Sequence, residues 1–222
     1  MKPWQLLGEA RTPDGVALTL TRHDREYVIM ADGRSLMSSR MHGSEEALAR
    51  FACQGLRLPG ACVLVGGLGM GFTLRATLDL LPGDASVVVA ELVPAIVEWN
   101  RGPLGPLAGH PLKDPRVGLE LEDVGNILHG SEARFEAVLL DTDNGPDAFT
   151  AATNARLYGD SGLSAARRAL KPGGVLAVWS AWENRKFEQR LRYAGFTVAV
   201  ERVRGRLERG GPKHTIFLAT RT

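Results

Sequence analysis

Apolar and polar residues follow two different rhythms along this chain. In its first forty positions they alternate. Leu18 and Leu20 are interleaved with Thr19 and Thr21, and a second run covers 26–31. The pair Asp32-Gly33 suits a two-residue hairpin turn, and 35–39 can return from it, so residues 1–42 read as a small antiparallel β-unit. From residue 43 the rhythm changes. Helical spacing runs over 43–52, with Ser44 as N-cap and Glu45 and Glu46 in the first turn. Short, mostly apolar stretches then recur at 62–65, 86–90, 135–140 and 175–179, and 116–121 reads as a further strand. Between them helical patterns cover 72–81, 94–100, 123–129 and 154–170, while 102–115 is a loop rich in Gly and Pro. A helix over 184–193 ends at Ala194-Gly195, and strands at 196–200 and 214–219 close the chain as a hairpin with an arginine-rich connection. Uninterrupted apolar strands alternating with helices are the mark of a mostly parallel sheet covered on both faces. The expectation is an α/β domain over 43–222 whose seven-stranded sheet ends in an antiparallel hairpin.

Composition changes this picture little. The chain has 222 residues, 44% of them hydrophobic, enough for one domain with a small appendage. No apolar run approaches the length of a membrane span, and the first residues lack the apolar centre of a signal peptide. Cys53 and Cys62 make no metal or redox spacing, so free thiols in a reducing cytoplasm are expected. His23, His42, His110, His129 and His214 show no ligand spacing either, and no metal is expected. Charge is divided unevenly: residues 1–150 carry a net −7 and residues 151–222 a net +9. Arg202, Arg204, Arg206, Arg209 and Lys213 read as a solvated face, and nucleic acid is not expected as a partner.

The chemistry gathers where the strands end. The first apolar run of the α/β part leads into glycines at 66, 67, 69 and 71 and then into a helix. Such a corner turns tightly and lets a ligand approach the backbone. A dinucleotide fingerprint begun at Gly67 would need glycine where Phe72 stands, and no Gly-Lys-Ser/Thr follows to make an NTPase phosphate loop. Glu91 closes the second run, 24 residues after Gly67, and a carboxylate there reaches the two hydroxyls of a ribose held over the glycines. Asp123 follows the third run, where it serves as the cap of the next helix, as an acceptor for the exocyclic amine of adenine, or as both. Asp141 and Asp143 follow the fourth run, and Trp179 and Trp182 stand at the end of the fifth, able to wall a flat or cationic acceptor. Ligands of open α/β sheets bind at these carboxyl ends, where the strand order reverses.

In this order the residues resemble the spermidine synthase group of class I S-adenosylmethionine-dependent transferases. Gly67-Leu-Gly-Met-Gly-Phe-Thr-Leu-Arg75 stands where the group carries Gly-Gly-Gly-Asp-Gly-Gly-Thr-Leu-Arg. Glu91-Leu-Val-Pro-Ala95, Asp114-Pro-Arg-Val117 and Arg168-Ala-Leu-Lys-Pro-Gly-Gly174 match the group's further motifs, and Asp141-Thr-Asp-Asn-Gly-Pro146 is a shortened form of its loop after strand four. The resemblance implies a Rossmann-like class I methyltransferase fold with a small N-terminal β-unit. It implies S-adenosylmethionine or its decarboxylated form, held by Gly67, Gly69, Met70, Gly71, Glu91, Leu92, Asp123 and Val124. Asp141 matches the group's catalytic base, with Asp143 assisting, and Trp179, Trp182 and Tyr158 are expected around the acceptor.

One departure bears on the reaction. The group's aspartate that holds the amine of an aminopropyl donor aligns with Met70, whose neutral thioether cannot pair with an ammonium. Methyl transfer to a small acceptor, an amine among the choices, is therefore expected ahead of aminopropyl transfer. A nucleoside-binding or oligomerising protein without turnover is the alternative of another class. A homodimer through the N-terminal unit is expected from the resemblance.

Overall fold

A computed structural model describes residues 3–56, 58–142, 145, 156–206 and 211–222. Two sheets organise them. The first is an antiparallel meander of β1 (Gln5–Arg11), β2 (Ala17–His23), β3 (Glu26–Ala31) and β4 (Arg34–Ser38). Asp32 and Gly33 both take positive φ, 46° and 75°, as a two-residue hairpin turn requires. The Asp32 carboxylate also accepts from the Ala17 N–H at 2.9 Å, which ties the turn to β2. β1 is absent from the sequence reading, and its composition explains why. Gln5-Leu-Leu-Gly-Glu-Ala-Arg11 has no alternation, and the register with β2 slips between Leu6 and Gly8. Gly8 is needed at that slip, because a Cβ there would lie 2.5 Å from the indole nitrogen of Trp99.

The second sheet has seven strands in the order β10-β11-β9-β8-β5-β6-β7. β5 (Cys62–Gly66), β6 (Ser86–Ala90), β7 (Val117–Glu120), β8 (Phe135–Leu140) and β9 (Leu170–Ser180) run parallel. β10 (Phe196–Arg204) and β11 (Lys213–Arg221) form the closing hairpin, and β11 pairs antiparallel with β9. The chain starts this sheet in the middle, builds outward through β6 and β7, and returns to the other side of β5 with β8. That reversal between β5 and β8 is the switch point at which open α/β sheets bind ligands. Helices α1 (Gly43–Cys53), α2 (Phe72–Leu80), α3 (Pro94–Arg101), α4 (Val124–His129), α5 (Asp160–Ala169) and α6 (Arg185–Tyr193) cover the faces. Val63, Leu64, Val65, Val138, Leu139 and Val178 are fully buried, as continuous apolar strands should be. One core cluster runs from Leu18, Leu20 and Ile29 of the N-terminal sheet into Val63, Leu74 and Val89, so the two sheets share apolar packing.

Several boundaries differ from the periodicity. The loop over 102–115 holds two 3-10 turns, Gly105–Ala108 and Pro111–Lys113. β9 begins at Leu170 rather than at 175, because Leu170 pairs with Phe135 before a register slip admits the Lys-Pro-Gly-Gly segment. Ser44 is not the cap of α1. His42 holds that position without a side-chain hydrogen bond, and the Ser44 hydroxyl instead meets His214 Nδ1 at 2.8 Å. Asp114-Pro-Arg-Val117 proves to be a clamp: Arg116 grips Asp114 with two N–H groups and donates to the carbonyls of Leu81 and Pro82. The guanidinium holds the Asp114 carboxyl down at about 2. Among the described residues no helix is long and apolar enough to cross a membrane. Cys53 and Cys62 are free thiols.

Candidate active site

The site forms over the β5–α2 corner. Gly67 takes a φ of +89°, which favours glycine, and its N–H donates to the Ala90 carbonyl at 3.0 Å. A Cβ at Gly67 would stand 2.6 Å from the carbonyl oxygen of Asp141, so only glycine lets β5 and β8 end this close. Gly71, at φ +85°, starts α2 with its α-carbon against Asn100 and Pro111. Asn100 is buried and donates to the Gly69 carbonyl at 2.8 Å, fixing the loop from below.

Glu91 is a strut. It is 8% exposed, and its carboxylate accepts from the Leu68 N–H at 3.0 Å and the Val93 N–H at 2.8 Å. It therefore ties the glycine loop to the end of β6. Burial raises its pKa, and the backbone N–H groups pull the other way. A carboxylate oxygen takes more than one hydrogen bond, so acceptor capacity remains for a ligand. Asp123 caps α4 by accepting from Gly125 N–H at 2.7 Å through Oδ1. Val124 beside it packs on Gly66, where a Cβ would lie 2.9 Å from the valine side chain. Leu92 is 44% exposed at the rim of the same strand ends.

Asp141 stands just past β8 at the switch point. Its N–H donates to the Gly66 carbonyl at 2.9 Å, and its Oδ2 accepts from the Thr73 hydroxyl at 2.6 Å. Burial pushes its carboxyl up to about 6, against the lowering effect of Thr73. The first turn of α1 brings a second acid to this place. Glu45 is held well above the usual carboxylate range by burial first, and then by the charges of Asp141 and Glu46. Beside it the His42 ring stacks on Phe72 at 4.1 Å and meets the Glu46 carboxylate at 2.8 Å. The sequence reading missed Glu45, because two acids after a serine look like ordinary first-turn residues. What makes it special is that α1 packs across β8 and β9, a long-range contact with no local sequence mark.

The remaining expected residues are placed less uniformly. Asp143 lies outside the described residues. Tyr158 is 1% exposed; its hydroxyl meets Thr142 Oγ1 at 2.8 Å and its ring packs edge-on against Phe187, so it floors the loop after β8 and is no open pocket wall. Trp179 sits against His214, ring centres 4.7 Å apart, and its indole N–H is buried with no hydrogen-bond partner among the described residues. Gly145 of the loop after β8 crosses the end of β9, where a Cβ would lie 2.7 Å from the Trp179 carbonyl oxygen. Trp182 is 49% exposed, and its main chain is held by the Ser180 hydroxyl. Met70 is 2% exposed and joins the core. Among the described residues no group of His, Cys, Asp and Glu is placed to hold a metal ion.

No protein-family model matches the chain. A polyamine aminopropyltransferase of Mycobacterium tuberculosis is 36% identical over 119 residues, 52% of this chain and 22% of that protein. One from Korarchaeum cryptofilum is 27% identical over 135 residues, 61% of this chain and 40% of that protein. The spermidine synthase of Thermotoga maritima superposes with a TM-score of 0.75 at 16% identity, covering 98% of this chain and 72% of that one. The chain thus has the fold of the spermidine synthases and, over about half its length, is similar in sequence to polyamine aminopropyltransferases. The chain spans less than half the length of the curated relatives it matches, 22% and 40% for these two. The comparisons overturn the expected preference for methyl transfer, since these relatives are named for aminopropyl transfer. That preference rested on Met70 standing where the group carries the aspartate that holds the donor amine; in the structure the Met70 side chain is buried in the core.

Proposed function

We propose that this spermidine synthase-like chain transfers an aminopropyl group from decarboxylated S-adenosylmethionine to a small amine. The observation that carries the reading is Asp141: a carboxyl at the switch point, raised to about 6 by burial, held by Thr73 and faced by Glu45. Two carboxyls close enough for one to raise the other suit a substrate that arrives as an ammonium. The loop of Gly67, Gly69 and Gly71, backed by Glu91, has the open backbone and the buried carboxylate that an adenosyl group fits. Asp123 and Val124 would flank the base, and Leu92 the ribose.

The sulfonium of the donor already activates the carbon beside it. The chain's own task is to hold the amine in line and to take its proton. With a carboxyl near 6, Asp141 is mostly ionised at neutral pH and can accept that proton from the ammonium. The free amine nitrogen then forms the new C–N bond as the C–S bond breaks, and the electron pair stays on sulfur as a thioether. Glu45 orients the cationic acceptor, Asp143 assists, and Trp179 and Trp182 border its path. A homodimer and a reducing cytoplasm, suited to two free cysteines, complete the reading.

The test is product formation from decarboxylated S-adenosylmethionine with putrescine and related diamines. Aminopropylated product that disappears in Asp141→Asn, with donor binding retained, supports the reading. Donor binding without product across the amine panel sinks it.

A further inference from the structure

A cavity whose lining includes none of these site residues lies in the helix layer. It is a groove of about 770 Å³ between α5 and α6, lined by Asp160, Ser164, Arg167, Arg168, Lys186, Gln189, Arg190, Tyr193, Ala194 and Arg221. Arg221 lies beside the start of β9, since Thr220 pairs with Val175, whereas the candidate active site lies at the other end of the same strand. The Arg221 end of the groove is therefore opposite the site, and the groove runs along α5 and α6 toward the Tyr158 carbonyl that Arg190 meets.

Five of the lining residues are cations and one is an acid. The guanidiniums are anchored on main-chain carbonyls. Arg168 donates to His129, Arg190 to Tyr158, Arg221 to Leu170, and Arg167 to Gly195 and Thr222. A carbonyl positions a guanidinium without neutralising it, and each keeps further N–H groups for a ligand. The hairpin's Arg202, by contrast, is paired with Glu183. The expectation of no nucleic acid took the arginines of the C-terminal third, on one helix and that hairpin, as a solvated face. The structure instead collects a set of cations drawn from α5, α6 and β11, which are separate in sequence. Tyr193 adds an aromatic face at the rim and is 90% exposed.

Anchored guanidiniums with no side-chain ion pair among the described residues, beside an exposed aromatic ring, are the two components of a single-strand binding surface: charge that tracks phosphates and a face on which a base stacks. We propose that this groove binds single-stranded nucleic acid, with the phosphates along Arg167, Arg168, Lys186, Arg190 and Arg221 and a base on Tyr193.

The probe is a labelled oligouridine of about 16 nucleotides, titrated with the full chain and read by fluorescence anisotropy from about 50 mM to about 200 mM salt. Five phosphate contacts predict a log–log salt slope of about −3.5. Lys186 and Gln189 are exposed, so the double variant Lys186→Glu/Gln189→Glu keeps the fold and should weaken binding about tenfold or more. Tyr193→Ala should weaken the single strand about tenfold and leave heparin binding unchanged. No saturable binding at the lowest salt, or affinity unmoved by the double variant, overturns the proposal. So does a duplex bound as tightly as the strand, or a strand affinity indifferent to Tyr193→Ala, because either outcome reduces the groove to a general polyanion surface.

Discussion

The carbonyl oxygen of Asp141 stands 2.6 Å from the place a Cβ on Gly67 would occupy. The proposed catalytic carboxylate and the proposed donor loop are thus in backbone contact, and the Asp141 N–H to the Gly66 carbonyl reinforces it. Gly67→Ala must push the two strand ends apart and hold a non-glycine residue at φ +89°. A cost of about 1–3 kcal/mol is expected, visible as a melting temperature several degrees lower. Transfer should fall far more than stability, because Asp141 moves with the strand end. A variant with unchanged turnover would separate Asp141 from the chemistry.

Asp141 also links stability to pH. Its carboxyl goes from an ordinary 3.8 to about 6 on folding. Between those values the folded chain keeps a proton that the unfolded chain has released, so this group withdraws stability as pH rises through that window. Asp141→Asn removes the effect. Its unfolding free energy from urea titration should exceed the parent's above pH ~6, by about 1–3 kcal/mol, and match it near pH ~4. Equal free energies at both pH values would mean that Asp141 is not desolvated.

Thr73 donates to Asp141 at 2.6 Å and holds its pKa down. Thr73→Val removes that donor. The acid limb of the single-turnover pH profile should move upward by about one unit, and Thr73→Ser should restore it. A purely structural role for Thr73 would change the rate without moving the limb.

Glu91 supplies the two acceptors that hold Leu68 and Val93. Glu91→Ala leaves both N–H groups buried and unpaired, at about 1–3 kcal/mol each. Calorimetric titration with decarboxylated S-adenosylmethionine should show binding lost in Glu91→Ala and weakened about tenfold in Glu91→Gln, which keeps one acceptor oxygen. Full affinity in Glu91→Ala would place the donor elsewhere.

The strands of the main sheet were legible because each is a short apolar run stopped by a polar or glycine-rich end, and the Asp32-Gly33 turn because a two-residue hairpin needs residues that tolerate positive φ. Glu91, Asp123 and Asp141 could be marked in advance since sequence position fixes which strand end each follows. What could not be read depends on contacts between distant segments. β1 exists because Gly8 lets it close on Trp99, 91 residues away. Glu45 joins the site only through the packing of α1 across β8 and β9. Met70 and Tyr158 are expected at the ligands from the resemblance but turn inward, and direction within a loop or at a helix start leaves no periodic trace.

The most direct test is the mass of the product formed from decarboxylated S-adenosylmethionine and putrescine. Aminopropyl transfer predicts a product heavier than the amine by one aminopropyl unit, released with a nucleoside thioether and absent in Asp141→Asn. A methylated amine formed from S-adenosylmethionine, with no aminopropylated product from the decarboxylated donor, would contradict it.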